Sequence, residues 1–124
     1  MSALVALRNI LLADEDVAAV TTRIAPRVKQ NSVLPCLTIQ KISGEQDALL
    51  DYAHPRYQVT SWATTYEAAD ELNKKVKEAL QRYRGREAGL RIEMIVFLND
   101  TSIYEPETER EAFAADFRVD YWEE

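Results

Sequence analysis

Apolar residues recur along this chain with periods that change several times, and each change marks an element. Leu4, Leu7, Ile10 and Leu11 fall at intervals of three and four, predicting a helix from Ser2, whose hydroxyl can cap it, to about Ala13. Asp14, Glu15 and Asp16 interrupt that stripe. They suit the start of a second short helix holding Val17, Ala18 and Val20, since acidic side chains favour a helix N-terminus. Residues 21–34 read as a connector with a short strand at 23–24, and Leu34-Pro35 opens a strand that runs to about residue 42. A polar segment, 43–55, follows.

Residues 56–62 alternate, Tyr57, Val59 and Ser61 against Gln58, Thr60 and Trp62, as a half-buried strand does. Thr64 or Thr65 can cap the next helix, predicted over 65–84. Its apolar residues Ala69, Leu72, Val76, Ala79, Leu80 and Tyr83 are spaced for one face, and Gly85 stands where a helix would end. A strand at 90–98 is expected to place Leu90, Ile92, Met94, Val96 and Leu98 on one face. The last strand, 113–121, sets Phe113, Ala115, Phe117, Val119 and Tyr121 against Ala114, Asp116, Arg118 and Asp120. One apolar and one wet face suit antiparallel pairing. The expectation is an α+β domain over 1–124: an about four-stranded, mainly antiparallel sheet packed against N-terminal helices and one long central helix.

Composition narrows the function. A chain of 124 residues with 47% hydrophobic and 29% charged content is that of a single globular domain. Fifteen basic against 21 acidic residues leave a net charge of -6. A nucleic-acid binder normally carries a basic stripe, because phosphate neutralisation supplies most of its affinity. The densest basic runs here, Lys74-Lys75-Val76-Lys77 and Arg82-Tyr83-Arg84-Gly85-Arg86, lie on or just past a predicted helix, where solvated charge explains them. No specific nucleic-acid binding is expected. Cys36 is the lone cysteine, which rules out an internal disulfide and suits a small hydrophobe in an apolar strand. No stretch reaches the roughly 18 apolar residues of a membrane span, and no signal sequence opens the chain, so neither membrane insertion nor export is expected.

Glu105, Glu107 and Glu109, with Asp116, fall at positions one, three, five and twelve of a calcium loop. Position six, which needs glycine for a sharp turn, is Arg110; Pro106 stiffens position two, and position twelve lacks the bidentate glutamate. In an extended chain, residues two apart stand roughly 6.6 Å apart, too far to share an ion. Solvated or interface charge is the better reading. His54, in Asp51-Tyr52-Ala53-His54-Pro55, is the only histidine and has neither cysteine partners for zinc nor a marked nucleophile to serve. Three glycines offer no phosphate-cradling loop. Tyr57, Trp62, Tyr66, Tyr121 and Trp122 could stack bases, but with no basic groove they read as core and interface aromatics. No catalytic, metal or cofactor site is expected.

Two polar connections, 43–55 and 99–111, each span 13 residues. Connections of that length in a small domain are usually functional. They supply the candidate subunit or partner interface: Glu45, Asp47, Asp51 and His54 in the first, Tyr104, Glu105, Glu107, Glu109 and Arg110 in the second. The second is expected to end as the tip of a hairpin, with its glutamates facing water or a neighbouring subunit that offers Arg23, Arg27 or Lys29.

Four segments taken in order, ALRNILLADEDVAAV, LPCLTIQKISGE, YQVTSWATTYEAADELNKKVKEAL and IYEPETEREAFAADFRVDYW, resemble the small tail completion, or tail-to-head joining, proteins of long-tailed bacteriophages and prophages. The likeness covers nearly the whole chain and rests on the joint order of the pieces. It implies a non-enzymatic virion subunit, present in host cytoplasm before assembly. Such a subunit forms a six-membered homo-oligomeric ring on the head-proximal end of the tail tube. There it ends tube polymerisation and meets the head-connector protein, and DNA passes through the ring. The dense acid of 105–111 departs from the family pattern. Outside this reading stand a non-viral interaction adaptor of the same fold and a small enzyme using carboxylates and His54.

Overall fold

The alternation of Phe113, Ala115, Phe117, Val119 and Tyr121 that predicts the last strand also places it: all five side chains are buried, so this strand needs cover on one face and neighbours on both edges. It has them. The computed structural model describes residues 3–44 and 52–123. In chain order they form α1 (Ala3–Ala13), α2 (Glu15–Val20), β1 (Ile24–Ala25), β2 (Cys36–Ser43), β3 (Tyr52–Ala53), β4 (Arg56–Ala63), α3 (Tyr66–Leu80), β5 (Gly85–Glu87), β6 (Leu90–Glu105) and β7 (Arg110–Glu123). The sheet runs β1-β2-β4-β7-β6-β5, with β3 pairing the end of β7 beside Tyr121 and Trp122. The last strand therefore lies at the middle of the sheet.

This corrects the four-stranded expectation. The sheet has seven strands, is mixed because β1 runs parallel to β2, and curls into a half-barrel. Nor is there one long central helix among the described residues, where three helices share the covering role and strand outweighs helix, 46% against 28%. Of the short strands, β1 at Ile24–Ala25 answers the one expected at 23–24, and β3 and β5, two and three residues long, are additional. They exist through backbone pairing at the margins of longer strands, so they leave no apolar period to read.

The helices form for the reasons the sequence offers. The Asp14 carboxylate accepts from the N–H groups of Asp16 and Val17, both at 3.0 Å, capping α2. The Thr65 hydroxyl accepts from Ala68 N–H at 3.1 Å, capping α3. Ser2 lies outside the described residues. Helix α3 stops at Leu80, four residues short of the expected end. Arg82, not Gly85, turns the chain there: it takes a left-handed φ of 66° and donates its N–H to the Ile95 carbonyl at 2.8 Å. Gly85 instead begins β5, opposite Ile92.

Leu7 and Leu11 of α1, Val17 of α2, and Leu72, Val76 and Leu80 of α3 pack with Leu37, Ile39, Val59, Ile95, Phe117 and Val119 of the sheet in one core. The opposite sheet face is built from short and polar side chains. Trp62 donates to the Thr38 hydroxyl at 3.1 Å, Gln58 to Asp116 at 2.9 Å, and Arg118 grips Asp120 through two contacts of 2.8 and 3.1 Å.

Candidate assembly surface

Strand β6 was expected to end at residue 98 and give way to a 13-residue connection. It continues to Glu105, and β7 begins at Arg110, leaving only residues 106–109 as a turn. The supposed long connection is thus most of a hairpin, in register from Asn99↔Asp116 to Glu105↔Arg110. Two bulges, between Ile92 and Met94 and between Phe97 and Asn99, reset which face each side chain meets. Ile95 becomes fully buried, whereas Leu98, expected in the core, is 38% exposed.

At the tip, Pro106, Glu107, Thr108 and Glu109 are exposed, and so is Tyr104. Glu109 adopts a left-handed φ of 55°, the conformation this reversal requires and one that non-glycine residues seldom take. The Thr108 hydroxyl donates to the Glu105 carboxylate, which also faces Arg110 Nε at 3.8 Å. Glu105 is consequently half-buried and tied down within its own turn.

Arg110 departs most from its reading as surface charge. It is 5% exposed, and its Nη2 donates to the backbone carbonyls of Lys29 and Gln30, each at 2.6 Å. A buried guanidinium needs such partners, because desolvation would otherwise cost several kcal/mol. The hairpin tip is therefore tied to the 28–30 segment of the same chain. Between them lies an open pocket of about 330 Å³ lined by Val28, Lys29, Gln30, Glu105, Glu107 and Thr108, with Arg110 at its base. Within the subunit the arm meets Lys29 through that residue's backbone carbonyl, which accepts from Arg110. Near this clamp, burial pushes the Cys36 thiol pKa up, against the opposing pull of the Arg110 and Arg23 charges.

The first polar segment is separate. Glu45, Asp47 and Asp51 lie outside the described residues. His54 is half-buried after β3, its ring 6.0 Å from that of Tyr52, which in turn lies 4.9 Å from Trp122. Because β3 pairs the C-terminal end of β7 while the hairpin tip adjoins its N-terminal end, His54 and the glutamates sit at opposite ends of one strand. Among the described residues no three His, Cys, Asp or Glu side chains gather as metal ligands. No helix of the described residues is long and apolar enough to cross a membrane.

Sequence reasoning missed Asp100. It accepts from Asn73 Nδ2 at 2.9 Å and Lys77 Nζ at 3.0 Å, anchoring the mid-hairpin to α3. Burial works to raise its pKa, but these two bonds outweigh it and leave the carboxyl below its usual value. The only signal in the sequence was a polar pair at i and i+4 on the helix, Asn73 and Lys77, too common to single out.

The fold is shared with solved structures. A chain of the "Virion of native gene transfer agent (GTA) particle" superposes with a TM-score of 0.74 at 16% identity, covering 94% of this chain and 92% of that one. No curated protein matches. A sequence family described as "Tail completion protein gp17" matches residues 5–124, so helices, sheet and hairpin arm all fall inside the match. The chain belongs to the tail completion protein gp17 family, a family of bacteriophage structural proteins.

Proposed function

We propose that this chain caps the head-proximal end of a phage tail tube, ends its polymerisation and joins the tail to the head connector, acting as a six-membered ring. The observation that carries this reading is the family match across residues 5–124. The form of the surface supports it. The β6–β7 hairpin forms one margin of the sheet, with β7 paired to β4 as far as Glu111; it is braced at mid-length by Asp100 and at its tip by Arg110, and presents Glu107, Glu109 and Tyr104 to solvent. Rigid bracing under an exposed, charged tip preorganises a contact for a partner.

Ring closure joins two different patches of each subunit, and opposed charge can register them. In this proposal the tip and the 43–55 segment, including Glu45, Asp47, Asp51 and His54, contact the next subunit, the tube protein or the connector. Part of the -6 net charge lines the channel, so that DNA passes without adhering. Electron microscopy of tails assembled with and without the chain tests the function. Overlong or headless tails in its absence are the expected result. Normal particles without it would refute the proposal.

A further inference from the structure

The two margins of the sheet each carry an unfilled stretch of strand. On one side β1 covers β2 only at Leu37 and Thr38, leaving Ile39–Ser43 with no described strand beyond it. On the other, β5 covers β6 only from Leu90 to Ile92. Arg82 then meets Ile95, and the remainder to Glu105 has no described strand beyond it, although Asp100 is bonded from one face by Asn73 and Lys77. Strand edges are templates for pairing unless blunted by Lys, Pro or bulges. On the β6 margin, residues 100–104 contain neither Lys nor Pro, whereas the β2 margin carries Lys41 and a bulge between Lys41 and Ser43.

The direction of the open backbone groups follows from bonds already described. Val119 donates its N–H to Pro55, on the β4 side. Alternation therefore points Asp116, Ala114, Ala112 and Arg110 toward β6, and leaves the N–H and C=O of Asp100, Ser102 and Tyr104 facing outward. Likewise Leu37 donates to Arg23 on the β1 side, so Ile39 and Lys41 face outward from β2. The open β6 edge is about five residues, roughly 16 Å long, and the β2 edge is regular from Ile39 to Lys41, where its bulge begins.

We infer that these edges pair with each other between neighbouring copies of this chain, β6 of one against β2 of the next, to make one continuous sheet around the ring. This inference rests on the ring reading above. The strands β2, β4, β7 and β6 are joined by three antiparallel steps, so β2 and β6 run in opposite directions. A copy related by rotation about an axis along the strands presents β2 antiparallel to β6, the sense the join needs. Pairing Lys41 with Ser102 sets Lys41 beside Asp100 on one face. On the other face it sets Ile103, 39% exposed, opposite Gln40. That register places the lysine of one edge against the acidic edge.

Two measurements test it, on tails assembled without the chain and then supplied with it. Ser102→Pro removes one outward N–H, and Ser102→Ala keeps it. The alanine variant is expected to cap and join tails as the unaltered chain does, and the proline variant to lose at least tenfold in joined particles. Independently, Gln40→Cys with Ile103→Cys, in a Cys36→Ser background, would stand at non-hydrogen-bonded cross-strand positions about 4.5 Å apart, within disulfide reach. Oxidation should then link subunits into ladders up to the ring. Normal joining by a folded Ser102→Pro chain, or no ladder where chemical cross-linking still shows rings, overturns the edge pairing. If the unaltered chain forms no ring on tails, the ring reading fails and takes this inference with it.

Discussion

The two halves of β6 are consecutive stretches of one strand, yet they do different things. From Leu90 to Phe97 it lies under the helices, with Leu90, Ile92 and Ile95 buried. From Leu98 to Glu105 nothing is fully buried, although β7 opposite keeps Ala112, Phe113, Ala114 and Ala115 inside through its pairing with β4. The boundary is the bulge between Phe97 and Asn99. One strand is thus core at its start and edge at its end. Stability should reside in the first half and contact with other chains in the second.

The largest effect should come from the buried half. Ile95→Ala removes a fully buried side chain and is expected to cost about 3 kcal/mol in chemical denaturation, through lost burial and the cavity left behind. Arg110→Ala tests whether the exposed half has a stabilising anchor of its own. It deprives the Lys29 and Gln30 carbonyls of their donor, and a loss of about 2 kcal/mol is expected. Arg110→Lys should recover only part of this, since one ammonium cannot reproduce the fork.

Asp100→Asn probes the boundary, with a smaller loss of about 1 kcal/mol. Its pH dependence has a definite sign. The folded carboxyl titrates below its unfolded value, so its contribution is fully present above the unfolded pKa and disappears as pH falls through the folded one. Thermal melts of Asp100→Asn and unaltered protein should therefore differ at neutral pH and converge in strong acid. Smallest in stability, within about 0.5 kcal/mol, should be Glu107→Lys with Glu109→Lys, because both side chains are solvated. That double reversal should nonetheless weaken tail joining. Unchanged joining would remove the tip from the mechanism.

How far the sequence could be read follows the same division. The helices and the central strands were legible because their apolar residues keep one period and their caps, Asp14 and Thr65, have specific chemistry. Resemblance likewise pointed to the family that the match over residues 5–124 establishes. The faces of β6 were not legible. The bulge that turns Ile95 inward spans Glu93, and the run after it, Met-Ile-Val-Phe-Leu at 94–98, is apolar throughout, so it does not show which of its faces is buried or that Leu98 is exposed. The hairpin past Leu98 resembled a loop because a strand wet on both faces has no alternation. Arg110 sat among glutamates, and only the approach of a segment 80 residues earlier turns it into a buried clamp.

The central place of β7 has a consequence for how the protein is made. It is translated after every other described strand, yet β3, β4 and β6 all depend on it. While the ribosome is still short of residue 110, β4 lacks one neighbour, β6 has the three residues of β5 and the Arg82 bond, and the Lys29 and Gln30 carbonyls await their guanidinium. Domains generally fold as units during synthesis at about 5–20 residues per second. Here the unit closes only when its last strand emerges. Nascent chains and premature termination products therefore lack a finished arm, and a tail would receive only subunits whose synthesis had passed through β7.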